Sequence, residues 1–111
     1  MTDAAILERD PKLAELVRRL VEAHHPERLY LFGSRGRGMG APDSDYDLLM
    51  VFERLDVPAY RIAQQAHALV WGLGISADIL AWSREEFDRR LPLKASLPAT
   101  VVRDGMLLHA A

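Results

Sequence analysis

The apolar positions near the N-terminus repeat with the period of a helix that is buried on one face. Asp10 followed by Pro11 is typical of an N-cap and the first helical residue. A proline at position 26 ends the pattern, because the residue before a proline is steered out of the α region. The first predicted element is therefore a helix from Pro11 to His24-His25-Pro26. Its buried positions follow the i, i+3, i+4, i+7, i+8 spacing: Leu13, Leu16, Val17, Leu20 and Val21.

Short apolar runs further along the chain predict three strands. Leu29–Phe32 is stopped by a glycine, which favours a buried strand. Tyr46–Phe52 is almost continuously apolar after its first two residues, as in a strand that is covered on both faces. Ile75–Trp82 predicts a third strand.

The remaining segments predict helices and an edge strand. Apolar residues from Ile62 to Leu73 have helical spacing and are closed by glycines at positions 72 and 74. Ser83 and Glu86 have the S-x-x-E spacing of a capping box, which opens another helix. Leu91–Leu97 is expected to be irregular.

The C-terminal segment predicts a helical turn and then a strand. Thr100–Arg103 predicts that turn, with Gly105 as its C′ residue, and residues 106–108 could add an edge strand. We therefore expect the α/β (α+β) class, with a small mixed β-sheet of three to four strands and helices packed against it. The 111 residues fit a single domain, residues 1–111.

Composition narrows the classes of function. The chain has no cysteine, which excludes disulfides, thiolate metal sites and thiol catalysis. The chain has fourteen Lys and Arg and sixteen Asp and Glu, which gives a net charge of −2. A long nucleic acid or an anionic membrane is therefore not an expected partner. The chain has neither a signal peptide pattern nor an apolar run near the ~20 residues that span a bilayer. We expect a cytoplasmic protein. We also expect Trp71 and Trp82 in its core, with a partner-facing position as the alternative.

A glycine-rich segment follows the first predicted strand. Four of the seven glycines lie between Gly33 and Gly40. Backbone without Cβ atoms can approach a phosphate closely, and Ser34 could cap a short helix there. Arg35 and Arg37 add cations nearby. The segment matches neither a P-loop nor a G-x-G-x-x-G turn, so an ordinary surface turn is the alternative interpretation.

Three carboxylates form the second candidate. Asp45 and Asp47 are separated by one residue and project from the same side of the second predicted strand. They repel each other, and a hard cation such as Mg²⁺ would compensate them with oxygen ligands around it. Asp78 interrupts an apolar strand, where a covered carboxylate needs a partner. The alternatives are a solvated strand start for the pair and a water-exposed edge position for Asp78.

Together these pieces resemble the minimal nucleotidyltransferases of the DNA polymerase beta-like superfamily. The family pattern is Gly-Ser-x-Ala-Arg-Gly, a short spacer, and then Ser-Asp-x-Asp-Leu. This chain has Gly-Ser-Arg-Gly-Arg-Gly at 33–38, the spacer Met39 to Asp43, and Ser-Asp-Tyr-Asp-Leu at 44–48. Gly36 stands where the family usually has alanine, which we expect to be a mild departure that costs some backbone rigidity.

The resemblance implies a two-metal nucleotidyl transfer. Asp45 and Asp47 would hold the Mg²⁺ ion that grips the triphosphate of ATP, and Asp78 would join them around a second ion. Gly33 and Ser34 would cradle the β- and γ-phosphates. The residue at position 37, an arginine, either contacts phosphate or ties the turn to a strand carboxylate, and the sequence leaves both open.

The resemblance also implies a partner protein. Similar minimal members pair with a HEPN-domain toxin, and transfer of AMP to a tyrosine hydroxyl of that toxin would make this chain its antitoxin. One alternative is a binding module that inhibits its partner by contact without chemistry. Another is a small-molecule nucleotidyltransferase whose acceptor site lies at the interface of a homo-oligomer.

Overall fold

The structure, a computed structural model, describes residues 2–38 and 44–111. The predicted spacer Met39 to Asp43 lies outside the described residues. The elements follow one another in this order: α1 (Ala5–Arg9), α2 (Pro11–His24), β1 (Arg28–Phe32), α3 (Gly33–Gly36), β2 (Tyr46–Phe52), α4 (Ala59–Ala68), β3 (Ala77–Ser83), α5 (Arg84–Arg90), α6 (Leu97–Asp104) and β4 (Met106–Ala110).

Four strands form one mixed sheet in the order β3-β2-β1-β4. β1 runs antiparallel to both of its neighbours, whereas β2 and β3 are parallel. A parallel pair needs a crossover connection, and α4 lies in it. The expected α/β class with a small mixed sheet is therefore confirmed, and the segment after Gly105 forms its fourth strand.

Helices cover both faces of this sheet. The first face packs against α2 and α4, with Leu16, Leu48 and Ala66 in one buried cluster. The second face packs against α5 and α6, where Phe87 and Val101 join the other buried cluster. The near-continuous apolar sequence of β2 is explained by this double covering, because its side chains alternate between the two clusters.

The end of α4 differs from the prediction. The helix ends at Ala68, not at Leu73, and β3 begins at Ala77 rather than at Ile75. The backbone tightens after α4 into i→i+3 bonds, with the Leu69 N–H donating to the Ala66 carbonyl at 3.0 Å. Positive φ angles at both following glycines, 84° and 70°, then turn the chain toward β3.

The C-terminal helix is longer than predicted. α6 begins at Leu97 rather than at Thr100, and the Ser96 hydroxyl caps it by accepting a bond from the Ala99 N–H at 3.2 Å. Gly105 was predicted as the C′ residue, but it is the C-cap that directly follows α6, and its backbone is extended, with φ −92° and ψ −174°. Close packing is the reason for a glycine here, because a Cβ atom would lie 2.7 Å from the carbonyl oxygen of Leu31.

The two tryptophans occupy different environments. Trp82 is partly buried against the cluster of α5 and α6, as expected. The expectation of a core position is wrong for Trp71, which is 85% exposed in the turn after α4. Among the described residues no helix is both long and apolar enough to cross a membrane.

Gly36 is held by the same kind of close packing as Gly105. A Cβ atom at position 36 would lie 2.7 Å from the carbonyl oxygen of Leu31 and 3.5 Å from the Cα atom of Gly105. The departure from alanine is therefore a steric requirement in this chain, and the expected mild loss of rigidity does not describe its cause.

The sign of the stability change on Gly36→Ala tests this packing. If the turn had room, alanine would stabilise the helical turn by up to about 1 kcal/mol, because glycine loses more backbone entropy on folding. The Leu31 carbonyl leads us to expect a loss of about 1–3 kcal/mol instead. Chemical denaturation measures the difference, with Gly105→Ala as a second variant that meets the same oxygen. A gain in unfolding free energy would contradict the packing argument.

Candidate active site

Residues from three strands form one row across the sheet. Phe32 at the end of β1 pairs with Asp47 on β2, and Asp47 pairs with Asp78 on β3. Register partners on neighbouring strands share a face, and strands lie about 4.8 Å apart, so the row spans about 10 Å between its outer Cα atoms. The first predicted carboxylate, Asp45, comes directly before β2 and lies two residues from Asp47 on the same side.

The glycine-rich turn begins where this row ends on β1. Gly33 has φ +70°, and a Cβ atom there would lie 2.3 Å from Oδ2 of Asp47. Only glycine therefore lets the Asp47 carboxylate pack directly against the turn. α3 is a single helical turn whose N-cap is Phe32, so Ser34 lies inside the turn and does not cap it.

The three carboxylates differ in exposure and therefore in electrostatics. Asp45 and Asp78 are exposed, and Asp78 lies on the edge strand of the sheet, while its role as a metal ligand stays a prediction. Burial raises the pKa of Asp47 above its ordinary value, and the charges of Asp78 and Asp45 raise it further. No ion pair to Asp47 or Asp78 occurs within residues 2–38 and 44–111 to offset this repulsion.

The carboxylates meet one requirement of a cation site and leave another open. Their oxygens are ligands that Mg²⁺ prefers, and a cation would offset both the burial and the neighbouring charges that raise the pKa of Asp47. In the described part of the chain, however, no three acidic or histidine side chains are gathered closely enough to form a ready metal cage. The donor set fits a divalent cation, with side chains that still have to converge on it.

Two arginines follow the glycine turn and have different environments. Arg35 donates from Nε to the Ser44 carbonyl at 2.8 Å, and its guanidinium lies 3.9 Å from the centre of the Tyr46 ring. These contacts join the turn to the start of β2. Arg37 is exposed at the end of the turn. The tie between turn and strand is therefore made by Arg35, and a phosphate contact of Arg37 stays a prediction.

Tyr46 connects this region to the N-terminus of α2, which the sequence pattern did not predict. Its hydroxyl donates to Oδ2 of Asp10 at 2.5 Å, while Oδ1 of Asp10 accepts the Leu13 N–H at 3.1 Å as the helix cap. Burial and the bond to Asp10 raise the pKa of Tyr46 to about 12. This charge-assisted hydrogen bond thus ties the start of β2, which carries Asp47, to the N-terminus of α2.

An open cleft of about 700 Å³ lies beside the carboxylates, and we call it the α4 cleft. One wall is formed by Asp47, Asp78 and Leu80 of the sheet, and the other by one side of α4. The helical residues have the spacing i, i+3, i+4, i+7, which places them on one face: Tyr60, Ala63, Gln64 and His67. Sequence reasoning missed this wall, because its residues look like the solvated side of an amphipathic helix.

Comparison with known protein families agrees with these features. Residues 11–102 match the model of the nucleotidyltransferase domain family. The chain belongs to this family. The match supports nucleotidyl transfer as the reaction class, and it includes the glycine turn and all three carboxylates of this nucleotidyltransferase domain.

Solved structures have the same fold. A crystal structure of a candidate nucleotidyltransferase from Sulfolobus solfataricus matches with a TM-score of 0.57 and 23% identity, covering 87% of this chain and 76% of that one. A toxin–antitoxin complex with AMP-PNP matches with a TM-score of 0.52 and 19% identity, covering 86% and 72%. No curated protein matches the chain.

The raised pKa of Asp47 predicts a pH-dependent stability of the metal-free domain. Because the folded state favours the protonated carboxyl, stability is lost as pH rises from the ordinary pKa of 3.8 through the raised value. In EDTA, Asp47→Asn should therefore be more stable than the wild type at pH 7 and lose this advantage near pH 3.5. Urea denaturation at both pH values measures it. Asp56→Asn, which changes a carboxylate far more exposed than Asp47, is the control, and an equal gain there would contradict the assignment.

Proposed function

We propose that this nucleotidyltransferase domain transfers AMP from ATP to a hydroxyl on a partner protein. The observation that carries the proposal is the row Phe32–Asp47–Asp78 with the Gly33 turn packed against Asp47. A glycine-rich turn beside carboxylates on neighbouring strands suits a triphosphate whose charge is shared with a cation. Membership of the family supports the same reaction class.

Each residue of the site has a proposed role. The backbone of Gly33 and Ser34 cradles the β- and γ-phosphates, and the exposed Arg37 adds a cation beside them. Asp45, Asp47 and Asp78 would hold Mg²⁺, two ions in the full complex. Bound divalent ions supply charge neutralisation on the phosphates and a lowered pKa of the acceptor hydroxyl.

The transfer itself needs no covalent protein intermediate. The acceptor oxygen forms a bond to the α-phosphorus of ATP, and the bond from that phosphorus to the oxygen shared with the β-phosphate breaks. Pyrophosphate leaves on the side of the Gly33 turn, and the proton of the acceptor hydroxyl passes to solvent. The protein contributes position and electrostatic stabilisation.

The partner is proposed to be a HEPN-type toxin, with a tyrosine as the acceptor and this chain as the cytoplasmic antitoxin. The similar fold of a toxin–antitoxin complex with AMP-PNP supports a partner protein and an adenine nucleotide. Two rival functions are an antitoxin that inhibits by contact alone and a small-molecule nucleotidyltransferase with its acceptor site at a dimer interface. The transfer experiment below separates the first of them from the enzyme.

We expect nucleotide binding to depend on a divalent cation. Without one, the carboxylates at the turn should repel the triphosphate, so the affinity for ATP should fall about tenfold or more when Mg²⁺ is replaced by EDTA. Isothermal titration calorimetry of the full chain measures both conditions, with inorganic tripolyphosphate as a control that lacks the nucleoside. Equal ATP affinity in EDTA would contradict a metal role for these carboxylates.

We expect Asp47→Asn to abolish transfer without disrupting the fold. Losing a charge that stabilises the transition state should lower the rate by about 1,000-fold, or about 4 kcal/mol. The assay measures label from α-labelled ATP on the protein encoded by the neighbouring reading frame, which is co-expressed with the chain. Asp56→Asn is the control and should label normally.

A pull-down of the same complex completes the transfer test. An enzyme predicts that the Asn variant keeps the complex but loses both labelling and neutralisation of the toxin. If Asp47→Asn still neutralises its partner fully, the function is inhibition by contact, and the proposed transfer is wrong.

A further inference from the structure

The α4 wall of the cleft has no role in the proposed function so far. Gln64 and His67 lie one helical turn apart on it, and Tyr60 is 62% exposed at its start. Across the cleft, Leu80 is 40% exposed on β3, next to the strand position of Asp78. A volume of about 700 Å³ is typical of clefts that bind a small molecule or a side chain.

The strand order fixes the position of this wall relative to the glycine turn that begins at Gly33. The glycine turn follows β1, Asp47 lies on β2, Asp78 lies on the edge strand β3, and α4 packs against β3. Asp47 and Asp78 alternate with Leu48 and Ile79 of the cluster under α4, so the row lies on the other sheet face and meets the α4 wall at the edge strand β3. The two ends of the row lie on opposite sides of Asp47.

The in-line geometry of phosphoryl transfer determines which substrate binds at each end of the row. The attacking and the leaving oxygens lie on opposite sides of the phosphorus in phosphoryl transfer. With pyrophosphate leaving toward Gly33, the acceptor oxygen has to approach from the side of Asp78 and α4. The nucleoside is attached to the phosphorus off this line, so an experiment has to distinguish it from the acceptor at the α4 wall.

We propose that the α4 cleft is the acceptor site and that Gln64 and His67 determine which acceptor it takes. The inference rests on the proposed transfer to a protein hydroxyl and adds the surface that selects it. The amide of Gln64 and the imidazole of His67 can bond polar groups around the accepting side chain. Leu80 and Tyr60 contact its apolar part, and the open cleft admits a side chain that belongs to a folded partner.

The chain offers a matched pair of positions for a test. Gln64 and Gln65 are neighbouring, exposed glutamines on α4, but only Gln64 lines the cleft. Because the chain has no cysteine, Gln64→Cys and Gln65→Cys each introduce a single reactive thiol. The rate of alkylation by N-ethylmaleimide then reports whether each position is covered.

Two additions separate the acceptor from the nucleotide. One is Mg²⁺ with AMP-PNP, and the other is the protein that wild-type chain labels from ATP. We expect the acceptor protein to slow alkylation of the thiol at position 64 about tenfold or more, with little effect of the nucleotide and little effect of either addition at position 65. Protection at position 64 by AMP-PNP alone would overturn the inference, since it would identify the wall as a nucleoside site. Equal protection of both positions would also overturn it.

Kinetics provide a second readout that a structural role would not change. Gln64→Ala should raise the KM for the acceptor protein about tenfold and leave the KM for ATP unchanged, while Gln65→Ala should match the wild type. A change in the KM for ATP alone would contradict the inference. Failure of the proposed function is distinguishable, because then wild-type chain transfers no label at all, whereas failure of the acceptor wall leaves wild-type labelling intact.

Discussion

The close contact between the Asp47 carboxylate and the Gly33 backbone is the constraint on which the site depends. Pairing of β1 with β2 brings Phe32 opposite Asp47, and the chain must then turn away at Gly33 with a positive φ. Since a Cβ atom at Gly33 would overlap Oδ2 of Asp47, the turn and the carboxylate can be neighbours only with glycine at this position. The sheet register thus fixes the distance between the glycine turn and the carboxylate of Asp47.

The parts of the site that depend on local geometry could be predicted from the sequence. Strand alternation alone places Asp45 and Asp47 on one side, and a glycine after an apolar run predicts the turn. The pairing of Asp47 with Asp78 depends on the parallel register across a crossover that contains α4, which no local pattern specifies. The exposure of Asp78 was left open for the same reason, because it follows from β3 being an edge strand.

Contacts between distant segments account for the remaining differences. Gly36 looked like a tolerated departure, yet its neighbour is the carbonyl of Leu31, and Gly105 packs on the same oxygen. The sequence does not distinguish Arg35 from Arg37, whereas in the fold Arg35 contacts the Ser44 carbonyl and the Tyr46 ring and Arg37 is exposed. The α4 wall likewise becomes part of a cleft only because α4 packs beside the edge of β3.

Among the three carboxylates of the site, the fold partly buries Asp47 and leaves Asp45 and Asp78 exposed. Both faces of β2 are covered by helices, so its central residues contribute buried apolar area. Asp45, directly before β2, and Asp78, on the edge strand β3, are both exposed to water. Asp47 is partly buried, and burial together with the charges of Asp78 and Asp45 raises its pKa. A ligand that brings a cation to Asp47 relieves this repulsion in the folded state only, so binding and stability are coupled at this residue. The apolar core therefore stabilises neighbouring carboxylates whose repulsion a bound cation would relieve, as the proposed binding of a metal-bound triphosphate requires.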